Sequence, residues 1–317
     1  MNANRISPSA LNIFDNCQWQ YHAKYDLGLK SGTNDIMTAG IMVHDVLEEI
    51  GKELKRDGES PLLEALAEVT VAHMPPAISN RLMATFEKQS ELGEITEACT
   101  NRARDNLVAV ADQLRRAKAG KPVQYRLFQG QKILRSEKLE EMELPDPEGI
   151  AGDPVTLLLK MDLVEEMAPG FVMITDYKTG ARLPSKKDEL TDPQATIYCM
   201  YWRLLDPKVE DVSFAWLFPK AGYFFAKRTP GQCDNQRLHL LQSAKIIRGV
   251  TEPTTEPKWP SRCADCFAKC ARKNAMRDVN NYYRPMGDYA GCPRFVRGAR
   301  DKDPILGPSK VNQPNPQ

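Results

Sequence analysis

The sequence predicts an α/β fold, with a central mixed sheet flanked by helices and a helical insertion. Three observations predict it. The first fifty-odd residues and the stretch from about 60 to 120 carry apolar residues at helical spacing. After Pro122 the pattern changes to short strand-like runs divided by Pro-, Gly- and Asp-rich turns. A helix, a hairpin and a further helix follow these runs.

The elements read in order as follows. Ser7-Pro8 is a helix start, Ser7 capping and Pro8 at the first helical position. Leu11, Phe14, Gln18, Tyr21 and Tyr25 then share one face, and a loop with Gly28, Gly32 and Asn34 ends the segment. A second helix spans about Met37 to Lys55, with Val43, Leu47, Ile50 and Leu54 as its buried stripe. In the helical insertion, Leu62, Leu66 and Val69 form one stripe and Leu107, Val110 and Leu114 another, flanked by Arg102, Arg104, Arg115 and Arg116, with a break at Pro75-Pro76. Lys132–Leu139, Val155–Glu165 and Phe171–Lys178 read as strands. Asp192 caps a helix running to about Leu204; Val212–Phe218 and Tyr223–Lys227 form a hairpin; a helix near Asp234–Ile247 comes last. Pro253, Pro257 and Pro260 make a stiff linker, and the tail after Arg300 has a disordered composition.

The bulk numbers exclude several classes. The 317 residues are 42% apolar and 27% charged, a globular balance. No run reaches the roughly 18 apolar residues of a membrane span. The start MNANRISPSALNIFDN lacks the apolar core of a secretion signal, so a cytoplasmic location is expected. There is no GxxxxGK[ST] loop, and hence no expectation of an NTP-driven motor. Net charge is only +1, so nucleic acid would have to be held by local patches. One such patch holds Lys258, Arg262, Lys269, Arg272, Lys273 and Arg277 against the single acid Asp265; a solvated face is the plainer reading of it.

The chemistry concentrates in LLLKMDLVEE, a short turn, and FVMITDYKTG. Asp176 and Lys178 are two apart on a strand, so both side chains leave one face. Asp162 lies within hairpin reach. Two converging carboxylates suit a hard divalent cation such as Mg²⁺ or Mn²⁺, and the Tyr177 backbone carbonyl offers another oxygen. Lys178 would orient a water or stabilise charge on a phosphate. Taken alone, Asp-x-Lys on a strand is most often an exposed ion pair. Two acids on one face, however, repel unless something positive joins them.

Five segments in order resemble RecB-like nucleases of the PD-(D/E)XK superfamily: ISPSALNIFDNCQWQYHAKY, GIMVHDVLEE, LLLKMDLVEE, VMITDYKTG and DPQATIYCMYW, over roughly residues 5–275. The resemblance implies a restriction-endonuclease-like core and a metal site of His44, Asp162, Asp176 and Lys178. Gln194 and Tyr198, four apart on one helical face, would contact DNA or support the site. Where this family carries Gly three residues before the first Asp, this chain has Leu159, which would narrow the approach of DNA. Glu137, in RSEKLEE, stands as a peripheral candidate and equally as a surface charge.

Three of the eight cysteines, Cys263, Cys266 and Cys270, fall within CADCFAKC, a spacing that points to metal ligation. In iron–sulfur members of the family one N-terminal cysteine joins three C-terminal ones. That resemblance implies a clasp of Cys17 with Cys263, Cys266 and Cys270 around a [4Fe–4S] cluster, with Zn²⁺ as the alternative. The last spacing is three residues where the family has five, so Cys292 is a substitute ligand. Cys99, Cys199 and Cys233 read as ordinary thiols.

The expected domains are a nuclease domain over 1–277, with the helical insertion at about 57–121 and the cysteine segment at 258–277, and a C-terminal extension over 278–317. The expected function is metal-dependent hydrolysis of DNA by a metal-activated water, more as an exonuclease of the CRISPR-associated or phage type than as an endonuclease. Its partners would be single-stranded DNA or duplex ends, and a helicase or recombination protein. The rival readings are a non-catalytic nucleic-acid-binding module and a zinc-stabilised interaction protein.

Overall fold

A computed structural model describes residues 4–28, 33–91 and 95–254. Strand β1 (Arg5–Ile6) leads into α1 (Pro8–Asn16), which Ser7 caps through Ala10 N as its sequence demands. The expected single helix breaks at Cys17, whose extended backbone both ends α1 and starts α2 (Gln18–Tyr21). A π-helical turn over His22–Asp26 follows. It rotates Tyr25 out of the predicted buried face, to 38% exposure, while Leu11, Phe14 and Tyr21 stay in the core.

Helix α3 (Asp35–Asp57) starts on the Asn34 cap and stops at Gly58, whose left-handed φ of 78° glycine adopts without penalty. The insertion resolves into α4 (Pro61–Glu68), α5 (Pro76–Ser90) and α6 (Glu97–Lys118), with Pro at the first turn of both α4 and α5. Its two predicted stripes pack against α3 in one apolar cluster.

The strands depart from the sequence reading in an instructive way. Lys132–Leu139 is not one strand but β2 (Lys132–Ser136) and the start of β3 (Leu139–Glu143). Val155–Glu165 likewise divides into β4 (Thr156–Lys160) and β5 (Leu163–Ala168). Next come β6 (Phe171–Tyr177), the short unpredicted helix α7 (Lys186–Thr191), α8 (Pro193–Leu205) on its Asp192 cap, the hairpin β7 (Asp211–Phe218) and β8 (Gly222–Lys227), and α9 (Pro230–Gly249). The breaks at Glu137 and Asp162 let the chain pass between two sheets. A small sheet is ordered β1-β4-β3, and a central one β2-β5-β6-β7-β8. The central sheet is mixed, because β6 and β7 run parallel while its other pairs are antiparallel.

Both faces of that sheet are covered, which is why β6 and β7 are almost continuously apolar. Val164, Ile174 and Trp216 pack with α1, α8 and α9 on one face; Leu163, Tyr177 and Leu217 pack with α3 to α6 on the other. Leu159 is also in the core, at 1% exposure, so its bulk lies inside the protein. Among the described residues no helix is long and apolar enough to cross a membrane.

Candidate active site

The strand register assembles the acids. In the β5–β6 pair Leu163 faces Thr175, so one further residue along, Asp162 stands opposite Asp176. In the β2–β5 pair Ser136 faces Leu163, and the next step sets Glu137 opposite Asp162; Glu137 N donates to Asp162 O at 2.9 Å. Glu137, Asp162 and Asp176 therefore form a row across three strands at one end of the central sheet. All three are buried, at 6%, 8% and 5% exposure.

Helix α3 lays His44 over the row. Its Nδ1 lies 2.9 Å from Glu137 Oε1 and 3.4 Å from Asp162 Oδ1, and its Nε2 donates to the Tyr177 carbonyl at 3.0 Å. The close approach of α3 depends on glycine. A Cβ on Gly51 would stand 2.5 Å from Ser136 Oγ, and one on Gly40 would stand 3.0 Å from Thr179 Oγ1. His44, Glu137 and Asp162 hold ligand atoms within 4.8 Å of one another, a grouping able to grip a metal ion.

The other side is supplied by β6 and α8. Lys178 follows the end of β6, and its Nζ reaches Asp176 Oδ2 at 2.5 Å. Gln194 Nε2 donates to Asp176 Oδ1 at 3.2 Å and to Tyr198 OH at 3.1 Å; Tyr198 OH in turn donates to Lys160 O at 2.7 Å. These bonds link the helical pair to the acid, Gln194 directly and Tyr198 through Gln194. Asp162 is fixed by the Tyr177 amide, which donates to its Oδ2 at 2.6 Å.

The electrostatics describe a site short of positive charge. Burial would push the His44 imidazole down, but Asp162 and Glu137 outweigh it and hold its pKa up at about 10. Burial also opposes ionisation of Glu137, yet its bonds to His44 and Lys160 hold it at about 2. Asp176 is raised to about 6, first by burial and then by the charge of Asp162, with Lys178 and His44 compensating only in part. Lys178 is raised, since Asp176 and Asp162 outweigh its burial. Both His44 nitrogens face acceptors, so the imidazolium balances the acids. A divalent cation among these oxygens and the imidazole would supply the same charge and release that proton.

Glu137 is what the sequence reading undervalued. It is buried, not peripheral, and its φ of 47° puts a non-glycine residue in the left-handed region. That conformation costs about 1–2 kcal/mol. The missed signal was the strand break: a turn inside RSEKLEE aims its glutamate along the row. Cys17 lies at the α1–α2 break. Cys263, Cys266, Cys270 and Cys292, the basic run from Lys258 to Arg277 and the C-terminal extension all lie outside the described residues. Cys99, Cys199 and Cys233 are buried.

Comparison with known proteins yields one family. The model of the PD-(D/E)XK nuclease superfamily matches residues 5–292. No curated protein matches the chain. Among solved structures, a "Putative exonuclease" from Eubacterium rectale is 13% identical over 80% of this chain and 84% of its own, with a TM-score of 0.46. The protein SSO0001 is 10% identical over 84% of each chain, with a TM-score of 0.33. The matched span takes in the acidic row, the helix that carries His44 and the lysine beside Asp176, and the chain belongs to the PD-(D/E)XK nuclease superfamily.

Proposed function

We propose that the chain is a metal-dependent deoxyribonuclease of the RecB-like branch that acts as an exonuclease on single strands or duplex ends. The observation that carries this reading is the row of buried acids with Lys178 at its end and His44 above it. His44, Asp162, Asp176 and the Tyr177 carbonyl are the groups that would hold Mg²⁺ or Mn²⁺, and Glu137 orients the imidazole by accepting a hydrogen bond from its Nδ1–H. Bound there, such a cation supplies Lewis acidity toward a phosphoryl oxygen and makes water a stronger nucleophile. Lys178 places a positive donor where charge develops on the phosphate. Gln194 and Tyr198 hold Asp176 in register. The presence of every one of these groups at one place argues against a non-catalytic copy of the fold.

The domain plan belongs to the same proposal: a nuclease domain over 1–277, with α4 to α6 inserted in it, and an extension over 278–317. So does the cysteine clasp, as a [4Fe–4S] cluster or a Zn²⁺ site. Supporting it, Thr254 is tied beside Cys17: its carbonyl accepts from Trp19 N at 3.0 Å and its amide donates to Gln18 Oε1 at 3.1 Å. The chain is thereby returned to Cys17 nine residues before Cys263. A visible spectrum of anaerobically purified protein separates the two metals. A helicase or recombination partner and a cytoplasmic setting complete the reading.

The test is digestion of linear and closed-circular DNA, single- and double-stranded and labelled internally or at one end. Mg²⁺, Mn²⁺ and EDTA are compared. The expected result is metal-dependent release of short products from ends, with circles spared. Nicking of circles would replace the exonuclease assignment with an endonuclease. Intact DNA of every form in both metals would overturn the nuclease reading.

A further inference from the structure

A cleft of about 470 Å³ opens beside Lys178, between the start of α3, helix α6 of the insertion, the loop after β6 and the β7–β8 turn. Its volume falls within the roughly 300–1,000 Å³ of sites that hold one small ligand.

The lining has two characters. Ile36, Ala39, Leu183 and Phe218 give it apolar walls. Two of these, Ile36 and Leu183, are 60% and 45% exposed, although they line the same cleft as Lys178. The charges in the lining cancel in pairs, with one exception. Lys178 pairs with Asp176, and Lys220 pairs with Asp105 at 3.4 Å. The guanidinium of Arg102, exposed on α6, has no ion-pair or hydrogen-bond partner among the described residues; only the Arg102 carbonyl is engaged, accepting from Asn106 Nδ2 at 2.9 Å. One uncompensated guanidinium set among apolar walls matches a molecule with a flat π-face and an anionic phosphate.

We infer that this cleft is a binding site for one unpaired nucleotide next to the scissile phosphate, its base lying on the apolar walls and its phosphate on Arg102. The inference rests on the nuclease reading for the word scissile; the binding site itself does not need it. The helical insertion thereby acquires a purpose, because α6 supplies Arg102 and closes one side of the cleft. It also narrows the substrate class: a strand must be single or frayed at the nucleotide beside the cut.

The test is a binding series with fluorescein-labelled single-stranded 12-mers, in Ca²⁺ in place of Mg²⁺, each carrying one tetrahydrofuran abasic site at a different position. One stacked base commonly contributes on the order of tenfold in affinity. The expected profile is therefore a loss of about tenfold at one position and little elsewhere. In Ala181→Trp, an exposed position in the lining where indole would fill the cleft, intact and abasic strands should bind alike. Arg102→Ala should weaken every member of the series by a similar factor and keep the position of the peak. A flat profile in the wild type overturns the inference, as does a peak that survives Ala181→Trp at full height. A flat profile with cutting in Mg²⁺ leaves the nuclease standing without this site. A peaked profile with no cutting leaves the site standing without the nuclease.

Discussion

Replacing Glu137 with Gln keeps the side chain's shape and removes its charge. The wild-type carboxylate accepts from His44 at 2.9 Å and pairs with Lys160. Lys160 is 56% exposed along its side chain, so solvent screens that pair and it contributes little, between about 0 and 1 kcal/mol. The His44 bond is different, because the Glu137 side chain is 2% exposed. A charge-assisted bond to a buried group contributes about 1.5–3 kcal/mol. The loss expected of Glu137→Gln in metal-free protein at pH 7 is therefore on the order of 2–3 kcal/mol. In urea this moves the unfolding midpoint down by roughly 1 M. The effect has a defined pH window. His44 is raised above its unfolded value, so its contribution is complete below the ordinary histidine pKa and is lost as pH rises through about 10. The difference between wild type and variant should be widest near pH 6 and close as pH climbs toward 10. Equal midpoints at pH 7, or a difference constant up to pH 10, would refute the reasoning.

Two further outcomes follow from the same geometry. Asp176→Asn removes a carboxylate whose pKa burial and Asp162 raise to about 6. The wild type should lose stability as pH rises from about 4 through 6 and the variant should not, so the variant should be the more stable at pH 8, by roughly 3 kcal/mol in metal-free unfolding. Gly51→Ala forces a Cβ to 2.5 Å from Ser136 Oγ and should cost about 1–3 kcal/mol in a thermal melt; Ser136→Gly in the same chain should recover most of it.

Helix caps and apolar periodicity carried most of the architecture in readable form. Ser7 and Asp192 cap the helices where their side chains say they should, while Asn34, which reads as part of a loop, caps α3. What did not show was where the strands break. Glu137 and Asp162 lie in runs with no glycine or proline to announce a turn, and only the pairing of β2, β5 and β6 places the breaks. That pairing is non-local, so a sequence window cannot see it. The same limit hid the burial of Glu137, whose partners His44 and Lys160 lie 93 and 23 residues away. Asp176, Lys178 and Gln194 were easier, because strand and helix periods put them on the right faces before any long-range contact was known. The cleft beside α6 was not legible at all, since Arg102 on a polar helix face reads as solvated charge.

The measurement that bears most directly on the central claim compares wild type with Lys178→Ala in Mg²⁺ or Mn²⁺, recording DNA cleavage and DNA binding at the same salt. Lys178 donates no ligand oxygen, and phosphate affinity sums over many basic groups, so binding should be nearly unchanged. Loss of a preorganised donor at the developing charge should slow cleavage by about two to three orders of magnitude. Cleavage by Lys178→Ala at the wild-type rate would remove this lysine from the chemistry and contradict the account.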